Sequence, residues 1–514
     1  MSEISSDRPR ARRRQTAEVA LPPRSHRYRS LRRPFTPWQI FSQDQVESLH
    51  NAALDLLETS GVKVLSERAI GQYRAAGCEV ETDTAMVRID RALVAQAMAA
   101  APKSISLRAR GEHRSVILDE QSLTFGPVSG PPNVALADGG RRPGRLQDYA
   151  DGIRLCQSFD VIHLLGSFAE PQDVPVEVRQ LEMLHAQLTL SDKVPHVYCR
   201  GSLQVRDCFE QIRIAYGLSE DEFRNTPCTY TIINTNSPRV LDAPMAEGIM
   251  DFAAAGQVQM ITPFTLAGAM APVTIAGALM LAHAETLAGL VLAQLTRAGA
   301  PVVYGSFTSN VDLRSGSPAF GTPEYVHAQI GAGQMARYVG LPWRSSGATA
   351  SNLPDAQSAY ESQMSLWGAL VGGANFVLHG AGWLEGGLSS SFEKFILDIE
   401  QLQMLAELCS PVGASTADFA ADAISEAGPG GHFFGTQHTM ARFRDAFYAP
   451  FVSDWRNHGT WLRDGAQSAT DRAGKICEDV LARFTPPTME TEVAEALLAF
   501  KQRRTEEGGA APMS

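Results

Sequence analysis

The chain has 514 residues, of which 44% are hydrophobic and 20% charged, an ordinary globular composition that excludes a disordered or fibrous body. Its net charge of −11 argues against general nucleic-acid binding by the main body. That total is uneven: residues 1–35 hold ten arginines against three acids, +7, so the remainder carries −18.

Residues 1–35 read as a disordered, solvated basic tail, with Arg8, Arg10, Arg12, Arg13 and Arg14 closely spaced. The tail lacks the apolar stretch of a secretory signal. A clamp for an acidic partner or an anionic surface is the sharper alternative. Seven cysteines without C-x-x-C spacing point to a reducing cytoplasm, with neither a disulfide framework nor a structural zinc site.

Residues 36–120 read as an α+β cap. Helical patterning covers Asp44–Ser60 and Asp90–Ala101, and β-like pieces lie at Val62–Leu65, Met86–Ile89 and Ser104–Leu107. From 121 to 409 short β-rich runs alternate with helical stretches. The runs are Ser122–Pro127, Val161–Ser167, Val194–Arg200, Cys228–Asn234, Val258–Phe264, Val302–Phe307, Leu341–Ser346 and Asn375–His379, with starts 30 to 44 residues apart. Eight strands, each followed by a helix, predict an α/β fold of the (β/α)8 TIM-barrel type. Thr322-Pro323-Glu324 and Pro354-Asp355 supply helix starts, and Phe392–Leu408 reads as the closing helix. Ala271–Leu295 has the length of a membrane span, but His283, Glu285 and Gln294 interrupt it, so a buried soluble helix is expected. Residues 410–514 read as a mostly helical extension with Gly-rich loops and an aromatic stretch, Phe447–Trp461.

Active sites of such barrels lie at the C-terminal ends of the strands. No H-x-H, H-E-x-x-H, G-x-S-x-G or dinucleotide motif lies there, which removes metal hydrolases, serine hydrolases and nucleotide enzymes. Aromatics, amides and a few charges remain. Tyr304, Phe307 and Trp383, with Glu385 nearby, suit a cation, since quaternary ammonium groups bind over aromatic faces. Arg344 and His379 suit an opposing carboxylate. Phe125, Tyr198 and Asn234 are secondary candidates for the same pocket. No residue is assigned as an acid or base. His283 and Glu285 lie inside a helix and read as structural or as a subunit contact.

Several ordered stretches resemble the trimethylamine methyltransferase family. They are Tyr304-Gly-Ser306 with Gly321-Thr-Pro-Glu324, Gly340-Leu-Pro342 with Pro354-Asp-Ala-Gln357, Gly380-Ala-Gly-Trp383-Leu-Glu385, and His283-Ala-Glu285 through Thr296. The resemblance covers about Phe35 to Leu481, which leaves the arginine tail outside the family core. It implies a (β/α)8 barrel and methyl transfer from a methylated amine to a corrinoid (cobalamin) carried by a separate protein, with no tightly bound cofactor of the chain's own. The family's archaeal trimethylamine enzymes carry pyrrolysine near Gly347-Ala348-Thr349, where this chain has ordinary residues. It therefore resembles the non-pyrrolysine branch, whose known members act on glycine betaine and related quaternary amines. Carnitine, proline betaine, choline or trimethylamine as substrate, or a non-catalytic betaine-binding protein, are the alternatives. A cytoplasmic homo-oligomer with no nucleic-acid or membrane partner completes the expectation.

Overall fold

The computed structural model describes residues 30–136, 139–444 and 446–513; the basic-tail expectation therefore lies, through residue 29, outside the described residues. Three helices make the cap: α1 (Gln43–Thr59), α2 (Glu67–Ala75) and α3 (Arg91–Ala100). Ser42 caps α1 in a reciprocal capping box with Gln45. Val46, His50, Ala53, Leu54 and Leu57 recur at helical spacing and form its buried face. Each buried leucine there contributes about 1.5–3 kcal/mol relative to exposure. Strand Val62–Val64 pairs with Met86–Arg88 on one side and with Val240–Leu241 on the other, which ties the cap to the main body.

Six parallel strands form one continuous ladder: β1 (Ser122–Phe125), β2 (Tyr230–Ile233), β3 (Val258–Ile261), β4 (Val302–Gly305), β5 (Trp343–Ser346) and β6 (Phe376–Leu378), in the order β1-β6-β5-β4-β3-β2. Leu31–Arg32 adds an antiparallel pair to β1. The expected strands 161–167 and 194–200 lie between β1 and β2 as bridged segments only, through Leu164 with Val194 and His196 with Tyr230. His163 donates its N–H to Phe125 O at 2.8 Å, and Val197 donates to Tyr230 O at 3.0 Å.

Side chains alternate across each strand. Leu164, Val194, Tyr230, Val258, Met260, Val303, Phe376 and Leu378 pack on one another, so the sheet curls around one inner face. The hairpin of Ile105–Leu107 and Val116–Leu118 joins that cluster. It sits at the N-terminal strand ends, because Arg108 and Gly111 donate to Pro227 O and Asp192 O, just ahead of the strands they precede.

The outer layer includes α4 (Ile275–Thr296), α5 (Pro323–Tyr338), α6 (Ala356–Gly372) and α7 (Phe392–Leu408). Thr322 and Asp355 cap α5 and α6, and Pro323 fills the first turn of α5, as expected. Among the described residues α4 is the one helix long and apolar enough to cross a membrane, with a mean hydropathy of 1.7. It is buried on nearly every side, between the cap helices and the sheet, and is a core helix. After α7 the chain is helical in pieces. Ala469–Ala482 packs on α7, and Thr491–Glu506 is pinned by Arg504 on Asp207 and Lys501 on Glu182.

Candidate functional site

Four of the nominated side chains converge at the C-terminal end of the sheet. Beyond β3 and β4 a short parallel pair, Phe264–Ala267 and Phe307–Val311, sets Phe264 beside Phe307, ring centroids 5.1 Å apart. Phe307 also meets Phe320 at 5.2 Å, His379 at 5.5 Å and the edge of Trp383 at 6.1 Å. His379 and Trp383 lie 3.9 Å apart. The Arg344 guanidinium stands 5.5 Å from the Phe307 centroid.

Arg344 is 1% exposed, and neither its Nε nor its Nη1 meets a protein acceptor. No described carboxylate pairs with it. Burial pushes its pKa down to about 10, so it remains a cation at neutral pH. A buried, unpaired guanidinium is costly unless an anion arrives to meet it.

His379 follows β6 with φ +56°, in the left-handed region that non-glycine residues seldom adopt. Its Nδ1 lies 2.7 Å from Ser346 Oγ. Burial, then the charges of Arg344 and His196, hold its pKa well below the ordinary value, so it is neutral. When the Ser346 hydroxyl donates to Nδ1, the ring proton sits on Nε2 and is available as a donor.

The Trp383 loop is fixed by its surroundings. Trp383 Nε1 donates to Thr349 O at 3.1 Å, and Thr349 Oγ1 donates to Trp383 O at 2.7 Å. Gly382 donates its N–H to Asp398 Oδ2 at 2.9 Å, while Asp398 is paired with Lys394 inside the protein. Two loops at adjacent strand ends are thereby cross-bonded.

The remaining candidates are placed elsewhere. Tyr304 is not part of the aromatic cluster. Val303 points to the inner face, so Tyr304 points to α4, where its hydroxyl lies 3.0 Å from His283 Nδ1. Glu385 is not a free counter-charge, because Arg141 pairs with it and Ser389 Oγ donates to it at 2.6 Å. Asn234 is exposed just beyond β2. Phe125 is buried beside His163, 6.1 Å away, and none of the described ring contacts joins it to the cluster. Tyr198 lies in an adjoining group, bonded to Ser167 and 3.4 Å from Ser129 Oγ, with Arg200 stacked 4.7 Å from its ring. Arg200 and Arg179 hold Glu170 below the usual carboxylate range, against the opposing effect of burial.

His196 links the two groups and was not among the candidates. Its ring lies 4.7 Å from Tyr198 and 5.0 Å from Tyr230, and both ring nitrogens are buried without a protein partner. Burial, then Arg200 and Arg344, lower its pKa to about 3. It sits before the end of its strand, so a search of strand ends alone passes over it. His283 and Glu285 are structural. His283 bridges His50 (2.9 Å) and Tyr304, and Glu285 accepts from Thr235, Ser237 and the Arg239 N–H at 2.5–2.8 Å.

The site thus offers an aromatic cluster on cross-bonded loops, a buried cation and neutral imidazoles. Among the described residues near it, Cys199, on the bridged segment that carries His196, has a pKa raised to about 12 by burial and is no activated nucleophile.

The family profile described as trimethylamine methyltransferase (MTTB) matches residues 7–509. The match begins inside the arginine-rich segment, so that segment does not lie wholly outside the family region. The glycine betaine methyltransferase of Desulfitobacterium hafniense strain Y51 is 35% identical over 92% of this chain and 98% of its own. The trimethylamine methyltransferase MttB of D. hafniense strain DSM 10664 / DCB-2 is 28% identical over 92% and 95%. Among solved structures, the Methanosarcina barkeri monomethylamine methyltransferase (MtmB) covers 92% of this chain and 89% of its own, at 12% identity and a TM-score of 0.47. On the extent of the profile match and the identity to these relatives, the chain belongs to the trimethylamine methyltransferase family.

Proposed function

We propose that this methyltransferase takes a methyl group from glycine betaine, or from a similar quaternary amine bearing a carboxylate, and passes it to a corrinoid protein. The observation that carries the reading is Arg344, a buried cation with no carboxylate of its own beside an aromatic cluster. A zwitterion fills both halves at once: its carboxylate meets Arg344 and the Nε2 side of His379, and its trimethylammonium rests against Phe307 and Trp383. Choline or trimethylamine would leave the guanidinium unpaired.

The chemistry suits a site without an acid or base. One carbon–nitrogen bond breaks, its electron pair stays on nitrogen, and a neutral tertiary amine departs, so no proton transfer is required. The reduced corrinoid supplies the two-electron nucleophile that accepts the methyl group. This chain's part is to hold the carboxylate end, exclude water and aim one methyl group at the mouth of the site. A cation cage alone would stabilise the ground state, because charge is lost along the reaction; the carboxylate clamp is the more useful source of binding energy.

The reading includes a (β/α)8 barrel over 121–409, with 36–120 as a cap and 410–514 as an extension. The parallel ladder and the bridged segments between β1 and β2 support closure. A cysteine set without metal spacing supports a cytoplasmic setting.

The test mixes the protein with glycine betaine and chemically reduced cob(I)alamin and follows the methylated-corrinoid spectrum. Turnover with betaine but not with choline or trimethylamine is expected. Betaine binding without turnover would establish the non-catalytic reading instead.

A further inference from the structure

We propose that Arg33, Arg337 and Lys103 form a binding site for a small oxyanion, a phosphate or a carboxylate, at the end of the sheet opposite the substrate groups. Its walls come from residues just ahead of β1, β5 and β6, among them Glu120, Pro342 and Asn375. They border a cavity of about 290 Å³. That is near the lower end of ordinary ligand pockets, roughly 300–1,000 Å³, and suits a small molecule.

Two arginines meet there. The Nη1 atoms of Arg33 and Arg337 each lie 2.7 Å from the position that a Cβ on Gly373 would take, so twice that distance is the most that separates them. A side chain at 373 would fill the space between the two guanidinium groups, and glycine leaves it free. The Lys103 Nζ lies 3.8 Å from the corresponding point on Gly340, which also borders the cavity. Burial, and then the charge of Arg33, push the Arg337 pKa down to about 10, so the group is still a cation at neutral pH.

The groups that face these cations leave them in excess. Asp119 is already bonded to Arg32 at 3.1 Å and to the N–H groups of Gln121 and Ser122 at 3.1 and 3.0 Å. Glu120 is exposed and gives Arg33 its backbone carbonyl. Arg337 donates to Gly372 O at 2.6 Å, and the C-terminal end of α6 supplies only about half a negative charge. None of the described ion pairs includes Arg33, Arg337 or Lys103. Two donors beside the cavity also lack acceptors: Arg33 Nε, on a side chain 6% exposed, and the indole Nε1 of Trp343, 2% exposed. A buried donor left without an acceptor is destabilising. An oxyanion would offset the charge and accept from the guanidinium forks and the ammonium at once. Arg337 and Lys103 are exposed, so the cavity is open to solvent on their side.

The test titrates the full chain with inorganic phosphate, and with acetate in parallel, at constant ionic strength, using calorimetry and thermal melting. One phosphate should bind per chain, and at about a hundred times its Kd the melting temperature should rise by about 2 °C. Acetate that binds as tightly would assign the site to carboxylates as well; weaker acetate would assign it to phosphate groups. Arg337→Gln and Lys103→Gln should each weaken binding by about tenfold. Both side chains are exposed, so neither substitution opens the core. Arg344→Met tells the two ends of the sheet apart, because it should leave phosphate binding intact. No saturable binding of either anion, unchanged affinity in either glutamine variant, or loss of binding in Arg344→Met would each overturn the proposal.

Discussion

Arg344 is enclosed by Phe307, Tyr325 and Tyr230, with two neutral imidazoles nearby, and nothing described in the chain neutralises it. Arg344→Met should therefore leave stability unchanged or raise it by about 1 kcal/mol, because it removes an unpaired buried charge. The same substitution should raise the KM for betaine at least tenfold, and melting and kinetics on one preparation check both halves. His379→Ala should weaken betaine binding as well; unchanged affinity would remove the imidazole from the carboxylate clamp. The clamp's charge is also its pH limit. With Arg344 near 10 and the imidazoles neutral, affinity should be flat from pH 6 to 9 and fall as pH rises through about 10, read by titration calorimetry. Tyr304 behaves differently. Tyr304→Phe should cost about 1–2 kcal/mol through the lost contact to His283, with KM unchanged.

At the scale of strands and helices, alternation decides what strand-end position alone does not. Phe307, His379 and Trp383 were legible because they follow strands whose runs are clear in the sequence, and Arg344 because it lies within such a run, second of the four residues of β5. Tyr304 satisfies the same positional rule but lies on the opposite face from Val303, and one residue of register reverses its role. Glu385 could not be read because its partner Arg141 is 244 residues away in sequence. The strands 161–167 and 194–200 read as full strands, yet they make only bridges, since their backbones turn after one or two bonds to Phe125, Val194 and Tyr230. The helices were more legible: α7 matches its expected bounds, because capping and apolar period agree there. One buried pair on α7 reaches the site. Lys394→Met would leave Asp398 charged and unpaired behind Gly382, at a cost of about 3–5 kcal/mol, and would loosen the Trp383 loop. Thermal melting and tryptophan fluorescence together check that outcome.

Over the whole molecule, several histidines are held neutral by burial. His50, His185, His196, His283 and His379 all have pKa values below the ordinary range, His196 and His283 at about 3. The unfolded chain protonates these groups near pH 6.5, whereas the folded chain does so only at lower pH. Between those limits the unfolded state binds more protons, so stability should be full above about pH 7 and fall as pH drops, by up to about 1.4 kcal/mol per pH unit for each group. Urea titrations between pH 7 and 5 check the slope. Helix α4 has a consequence for how the chain is made. It is buried nearly all round because the cap covers one side and the sheet the other, and the cap leaves the ribosome before it. The cap thus stands ready as a built-in cover when this membrane-like helix emerges, about 150 residues later by position in the sequence. A fragment beginning at residue 121 would synthesise the same helix with nothing to shield it, and should be captured by chaperones or membranes before its strands can pair.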